Sequence, residues 1–361
     1  MLANSNRLRW EMASDKQAPK RSVLILARLI TAIVGIAGAE GILWFGGYPN
    51  WWRLDPAWGG GSPEYESDAN LGWRARQGQF DVVWSDGSDN GHPRHVTNWS
   101  EGRRATAEQE PPRNPTRPQI LFFGDSYIEG YGLSDAETLP WIVQKRHPEA
   151  QVSNYGAGLY GTYQSYLAMK KQVHEPASVY YLFNAFHEDR NAGSPSFVRI
   201  MKDPPAGWFY PYVGLARGEL QEGRSSGEVV WFLSRHLRFA ALVQDYDLII
   251  KSYLRVRVKR KATQALLVKM NDVVRSASGK FSVLLFDLDP TERQQYRSFL
   301  DSQHIAYVDC DWPERMDPKL RLSDRQHPTA QLNALLAERM EPVTAVPSVS
   351  VYSRNVSGNL R

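Results

Sequence analysis

Between residues 119 and 310 the chain returns five times to a short apolar run: QILFFG (119–124), QVSNYG (151–156), SVYYLF (178–183), FSVLLFDL (281–288) and IAYVDC (305–310). Short runs of this kind, bounded by turn residues, have the texture of strands buried on both faces. Stretches with a helical period accompany them, near 136–147, 162–174, 229–254, 262–277, 291–303 and 328–341. Strands alternating with helices place the helices over both faces of a parallel sheet. The expected body is α/β, a three-layer α/β/α sandwich with a mostly parallel sheet of about five strands. The stretch from Glu188 to about Arg260 exceeds a simple crossover and reads as a loop plus a helical insertion over about 188–260.

A second feature constrains where this body resides. After Lys20 and Arg21 the chain reads SVLILARLITAIVGIAGAEGILWF, residues 22–45, long enough to span a bilayer as a helix. Its two charges, Arg28 and Glu40, lie within about two turns of the ends and can snorkel to the interfaces. Trp44, Phe45, Tyr48, Trp51, Trp52 and Trp58 follow as an aromatic belt. Basic residues precede the helix, which sets the N-terminus in the cytoplasm and the body outside. Two alternatives stand beside the anchor. Ala37-Gly38-Ala39 fits a signal-peptidase site, which would make the segment a cleaved leader. The other is a buried helix of a soluble protein.

Charge narrows the function classes. The chain has 361 residues and a net charge of +4, of which residues 1–21 contribute +3, leaving +1 for the rest. That balance argues against nucleic-acid binding by the folded body. The single cysteine, Cys310, excludes an intramolecular disulfide framework. No metal spacing stands out; His92 and His95 sit in a glycine-rich loop without an acid or cysteine beside them in sequence. The organisation expected is a basic leader (1–21), a membrane helix (22–45), an N-terminal extension (46–117), the catalytic body (118–341) and a loose tail (342–361). Within the extension, GQFDVVW and RHVTNW alternate like short strands, and EQEPPRNPTRPQ (108–119) is a proline-rich boundary.

The chemistry is concentrated at two places. The first strand runs into Gly124-Asp125-Ser126, which puts a hydroxyl at the C-terminal edge of a parallel sheet, where crevices open. Near the end of the body, Asp324 and His327 stand three apart just before a helix that Pro328 opens. A turn at that spacing brings a carboxylate to imidazole Nδ1, leaving Nε2 to take a hydroxyl proton. Each motif alone also fits an ordinary turn or helix cap.

Together, in this order and on this strand–helix pattern, the motifs resemble the SGNH hydrolases, also called GDSL-type esterases, over roughly residues 118–341. The resemblance implies Ser126 as nucleophile, with Asp324 and His327 completing a triad. It also implies an oxyanion hole made by the Ser126 N–H, a glycine N–H in a second block and an asparagine amide in a third. The second block is NYGAGLYGTYQSY (154–166), where Leu159 occupies the glycine position and Gly158 precedes it. The leucine is expected to narrow the hole. In the third block, NAFHEDRN, Asn184 is the candidate donor and His187 its alternative. Asp125, His187 and Arg190 are candidate substrate contacts. LGWRARQGQF and VTNWSEGRR resemble an N-terminal extension of membrane-attached members, with Arg104 either a substrate contact or a structural ion pair.

The expected activity is serine-based ester hydrolysis or acyl transfer on an O-acylated cell-surface glycan, without a cofactor. The alternative is a catalytically degraded SGNH domain acting as a glycan-binding or scaffold subunit of an envelope export complex. Two further features carry two readings each. Arg255, Arg257, Lys259, Arg260 and Lys261 suit an anionic surface or a solvated helix end. Trp208, Phe209, Tyr210 and Tyr212 suit a sugar platform or a buried lid.

Overall fold

The five apolar runs become five strands of one sheet: β5 (Gln119–Phe123), β6 (Gln151–Asn154), β7 (Ala177–Phe183), β10 (Lys280–Leu285) and β11 (Ala306–Asp309). In this computed structural model, residues 21–50, 63–83, 92–201, 209–225, 231–312, 315 and 317–344 are described. Among the described residues the sheet order is β11-β10-β7-β5-β6, with every pairing parallel. Alternate residues of each strand feed two cores. Leu121, Phe123, Val179, Tyr181, Val283 and Leu285 face one side, with Met169, Leu266, Met270, Tyr296 and Leu300 from helices α4 (Thr162–Gln172), α9 (Lys259–Ser276) and α10 (Pro290–Ser302). Ile120, Phe122, Tyr180, Leu182 and Leu284 face the other, against Leu139, Val143, Leu332, Leu336 and Met340 of α3 (Leu139–Arg146) and α11 (Ala330–Thr344). This is the three-layer arrangement that the continuous apolar runs imply.

The strand order positions the site. After β5 the chain moves to β6 at one edge, and after β7 it moves the opposite way to β10. A parallel sheet opens a crevice where successive connections part, here between the C-terminal ends of β5 and β7. Asn184 follows the end of β7 directly, and Asp125 follows β5 after Gly124.

The chain divides into two compact units, Met1–Leu54 with Phe232–Gln244, and Asp55–Trp231 with Asp245–Arg361. In the first, α1 (Arg21–Phe45) is long and apolar enough to cross a membrane and has no buried residue. Of the expected aromatic belt, Trp51, Trp52 and Trp58 lie outside the described residues.

In the second unit, two antiparallel hairpins precede the sheet: β1 (Tyr65–Asp68) with β2 (Gly72–Ala75), and β3 (Gly78–Val82) with β4 (Arg94–Asn98). The β3–β4 pair is the one that the alternating GQFDVVW and RHVTNW foretell; β1–β2 has no such alternation. Beyond Glu188 the chain holds more than a loop and helices. It contains α5 (Phe186–Ala192), α6 (Pro195–Ile200) and a hairpin of β8 (Pro211–Ala216) and β9 (Glu219–Arg224); α7 (Phe232–His236) and the first residues of α8 (Arg238–Arg257) belong to the first unit. The β8–β9 turn is Arg217-Gly218, both with positive φ (53° and 83°). Tight hairpins of this hand need that geometry, and Asn-Gly or Asp-Gly is the usual signal for it. An arginine in the first place hides the turn from a sequence reader. Of the aromatic cluster expected here, Tyr210 is buried beside Phe197, and Trp208 lies outside the described residues.

Candidate active site

Gly124 leads β5 into a one-turn helix, α2 (Ser126–Glu129). A Cβ at Gly124 would stand 2.7 Å from the Ile128 side chain, so the sharp exit requires glycine. Asp125 is the N-cap and accepts the Tyr127 N–H at 3.1 Å. Ser126 thus begins the helix at the sheet's edge, with its Oγ 2.8 Å from His327 Nε2.

The Asp324–His327 turn closes on itself. Asp324 Oδ1 accepts the N–H groups of Gln326 (2.9 Å) and His327 (3.0 Å), while Oδ2 bonds His327 Nδ1. Leu322 donates to the His327 carbonyl at 2.8 Å, and Arg325 adopts a φ of 60° to make the bend. Burial alone would raise the Asp324 carboxyl. The bonds from His327 and the backbone outweigh that and hold it below its ordinary value. The imidazole lies against Tyr127 (5.0 Å between centroids) and Tyr131 (4.4 Å). With Nδ1–H committed to the carboxylate, Nε2 is the acceptor facing the serine.

A second Asp–His pair is formed by Asp125, the residue before Ser126. Asp125 Oδ2 is 3.1 Å from His187 Nε2, 2.9 Å from Arg190 Nη1 and 3.3 Å from Asn184 Nδ2. Desolvation raises the Asp125 carboxyl, but His187 and Arg190 hold it well below the usual carboxylate range. Burial pushes His187 down from its ordinary value against the pull of Asp125, whose carboxylate its Nε2 faces. His187 Nδ1 stands 2.7 Å from the Tyr181 hydroxyl, which donates to Thr162 Oγ1 at 2.9 Å. Asp125 and His187, expected as substrate contacts, both have side chains with zero exposure. Arg190 stays at the margin, stacked over Phe186 at 4.3 Å and donating to the Tyr160 carbonyl at 2.8 Å.

The basic run near residue 257 braces this cluster. Lys259 pairs with Asp189 (2.9 Å), Arg260 pairs with Glu188 (2.8 Å) and Arg255 donates to the Ala192 carbonyl (2.8 Å). These cations hold α5, the helix that carries His187 and Arg190.

Around the second block the donors are largely engaged. The Gly158 N–H donates to the Tyr65 hydroxyl at 2.8 Å, and Trp73 Nε1 donates to the Gly158 carbonyl at 2.9 Å. The Tyr65 hydroxyl in turn donates to Glu129. Glu129 is buried, and desolvation pushes its carboxyl up to about 8. Leu159 has a φ of 62°, the left-handed conformation that glycine adopts freely. Asn184 is fully buried with its amide turned to Asp125.

Sequence reading passed over Tyr65, Trp73 and Glu129. Glu129 lies three residues past the nucleophile, and its position one helical turn on was the available signal. Tyr65 and Trp73 come from a remote hairpin with no motif to flag them. Arg104 is 2% exposed and bonds Asp135 (3.2 Å) and the carbonyls of Glu129 (2.8 Å), Gly130 (2.7 Å) and Leu133 (2.6 Å). It is a structural tie below α2, the second of the two roles considered for it.

No family model and no curated protein matches the chain. Among solved structures it is similar to TesA (14% identity, covering 62% of this chain and 96% of that one, TM-score 0.39). It is similar also to the psychrotrophic esterase EstA from Pseudoalteromonas sp. (12% identity, 62% and 94%, TM-score 0.37). A third is AlinE4, described as an SGNH-hydrolase family esterase (15% identity, 65% and 100%, TM-score 0.33).

Proposed function

We propose that the chain is a serine-dependent ester hydrolase or acyltransferase of SGNH type. The observation that carries this reading is the unbroken line from Ser126 Oγ through both nitrogens of His327 to Asp324. In the reaction, Oγ forms a bond to the ester carbonyl carbon as its proton passes to Nε2, and the carbonyl π pair moves onto oxygen. The imidazolium, stabilised by Asp324, returns that proton to the leaving alkoxide as the C–O bond breaks. Water, or an acceptor hydroxyl in a transferase, then attacks the acyl-serine by the same route. The Ser126 and Leu159 N–H groups and the Asn184 amide are the proposed oxyanion donors, each worth roughly 10²–10³ in kcat.

The leader and α1 support a single-pass anchor with the N-terminus in the cytoplasm and the body outside. An O-acylated cell-surface glycan is the substrate class that fits such a place. One observation favours a second reading, a degraded domain that binds or scaffolds: Gly158 N–H and the Asn184 amide already have protein partners.

Detergent-solubilised full chain separates the two readings. The enzyme hydrolyses p-nitrophenyl acetate, and Ser126→Ala lowers kcat by about 10³-fold or more. Equal rates for the wild type and Ser126→Ala leave only the binding module.

A further inference from the structure

Helix α8 covers a mixed face and leaves an apolar one outside. Its buried positions are Ala241 and Leu248 together with Arg238, Gln244, Asp245 and Ser252. Its exposed apolar side chains are Val243, Tyr246, Ile249, Ile250, Tyr253 and Leu254, the last two of the aliphatic ones, Ile250 and Leu254, at 74% and 75% exposure. An amphipathic helix in water shows the reverse arrangement. The buried polar groups are partnered: Asp245 pairs with Arg199 at 2.8 Å, Arg238 with Glu40 at 3.2 Å, and Ser252 Oγ donates to the Leu248 carbonyl at 2.6 Å. The polar groups of the covered face are thus satisfied, and the apolar row is left outward. Phe232 and Leu233 of α7 are exposed as well, at 67% and 56%. An apolar row of this length marks a contact with lipid or protein.

The first turn of α8 indicates which. Glu40 of α1 accepts the Phe239 N–H at 3.0 Å as well as the Arg238 guanidinium. Those bonds lie within one compact unit, and they fix the start of α8 to the end of the apolar helix. Glu40 is five residues from Phe45, where α1 ends. At 1.5 Å per residue that is about 7.5 Å, the depth of an interfacial layer rather than of a membrane's centre. The row itself has interfacial composition. Two tyrosines alternate with branched aliphatics, and Lys251 and Arg257 flank them, with Arg257 5.5 Å from the Tyr253 ring.

We propose that α8 lies on the bilayer that α1 crosses, with Val243, Tyr246, Ile250 and Leu254 in the boundary between headgroups and acyl chains. The partner is the phospholipid surface itself. This rests on the reading of α1 as a membrane span, and adds to it a second, non-spanning attachment.

The test uses the full chain in vesicles of phosphatidylcholine and phosphatidylglycerol. Cys310, which is buried, is replaced by alanine, and single cysteines are placed by Ile250→Cys, Leu254→Cys or Gln303→Cys for labelling with an environment-sensitive fluorophore. Brominated acyl chains should quench the labels at 250 and 254 by about twofold or more, and leave the exposed label at 303 unchanged. A chain retained after carbonate washing but quenched equally little at all three positions overturns the proposal and leaves the span intact. A chain stripped by carbonate overturns both. Cross-linking between copies through Leu254→Cys without quenching assigns the face to a second copy and also overturns it.

Discussion

The site holds two Asp–His pairs that differ chiefly in access to solvent. The Asp324 and His327 side chains are 12% and 15% exposed, whereas those of Asp125 and His187 are wholly buried. The open pair has one imidazole nitrogen on a carboxylate and the other on the serine. The sealed pair has one nitrogen facing a carboxylate and the other on Tyr181, with Arg190 fixing the charge. The same residue types therefore serve opposite ends. A pair that must hand a proton to a leaving group needs a face toward the substrate. A pair without that face can only brace, here by holding an anionic N-cap under the nucleophile's turn.

The largest expected effect separates the two histidines. His327→Ala lowers kcat for p-nitrophenyl acetate by about 10³-fold or more, with a stability change within about 1 kcal/mol. His187→Ala should instead be read in denaturation curves, as a loss of about 2–4 kcal/mol from a cavity and from a buried carboxylate left with Arg190 as its one charged partner. If His187→Ala matched His327→Ala in kcat at unchanged stability, the distinction would fail.

The two aspartates sharpen the same contrast. Asp324→Asn costs less kcat than His327→Ala, because the carboxylate orients the ring and stabilises its cation without taking the proton. Asp125→Asn leaves Arg190 facing a neutral amide and lowers stability by about 3 kcal/mol, measured by urea unfolding.

Glu129 gives a pH signature. Its carboxyl rises from the ordinary 4.5 to about 8 in the folded chain, so the native state binds the extra proton between those values. Stability from this group is complete below pH 4.5 and is lost as pH rises toward 8, by at most about 1.4 kcal/mol per unit. Unfolding midpoints of Glu129→Gln, compared with the wild type from pH 5 to 8, should converge at the acid end and favour the variant at the alkaline end. Parallel curves would place the Glu129 carboxyl in its ordinary range.

The smallest effect is at Leu159. Its left-handed backbone makes Leu159→Gly a relief of strain, raising stability by about 1 kcal/mol rather than lowering it as an ordinary backbone would. Turnover of longer acyl esters relative to acetate should rise with it, as removal of the side chain widens the crevice.

The sheet was legible because a strand buried on both faces has no choice but a continuous apolar run, and QILFFG, SVYYLF and FSVLLFDL show it plainly. The Asp324-to-His327 spacing was legible because the bond it makes is local in sequence. What stayed hidden depends on distant chain meeting in space. Tyr65 reaches Gly158 across 93 residues, and Glu188 receives Arg260 across 72, from segments whose residue types suit any surface. The burial of Asp125 was hidden for the same reason, because three of its partners come from beyond residue 183. The apolar face of α8 has the period of an ordinary core helix, and only the structure reveals that it points outward.

Activation of Ser126 by the open pair can be tested with a fluorophosphonate probe, without knowledge of the substrate. One covalent adduct per chain is expected on Ser126 of the wild type, found by peptide mass spectrometry, lost in Ser126→Ala, strongly slowed in His327→Ala, and retained in folded His187→Ala. An unlabelled wild-type chain, or labelling that persists in Ser126→Ala, would contradict it.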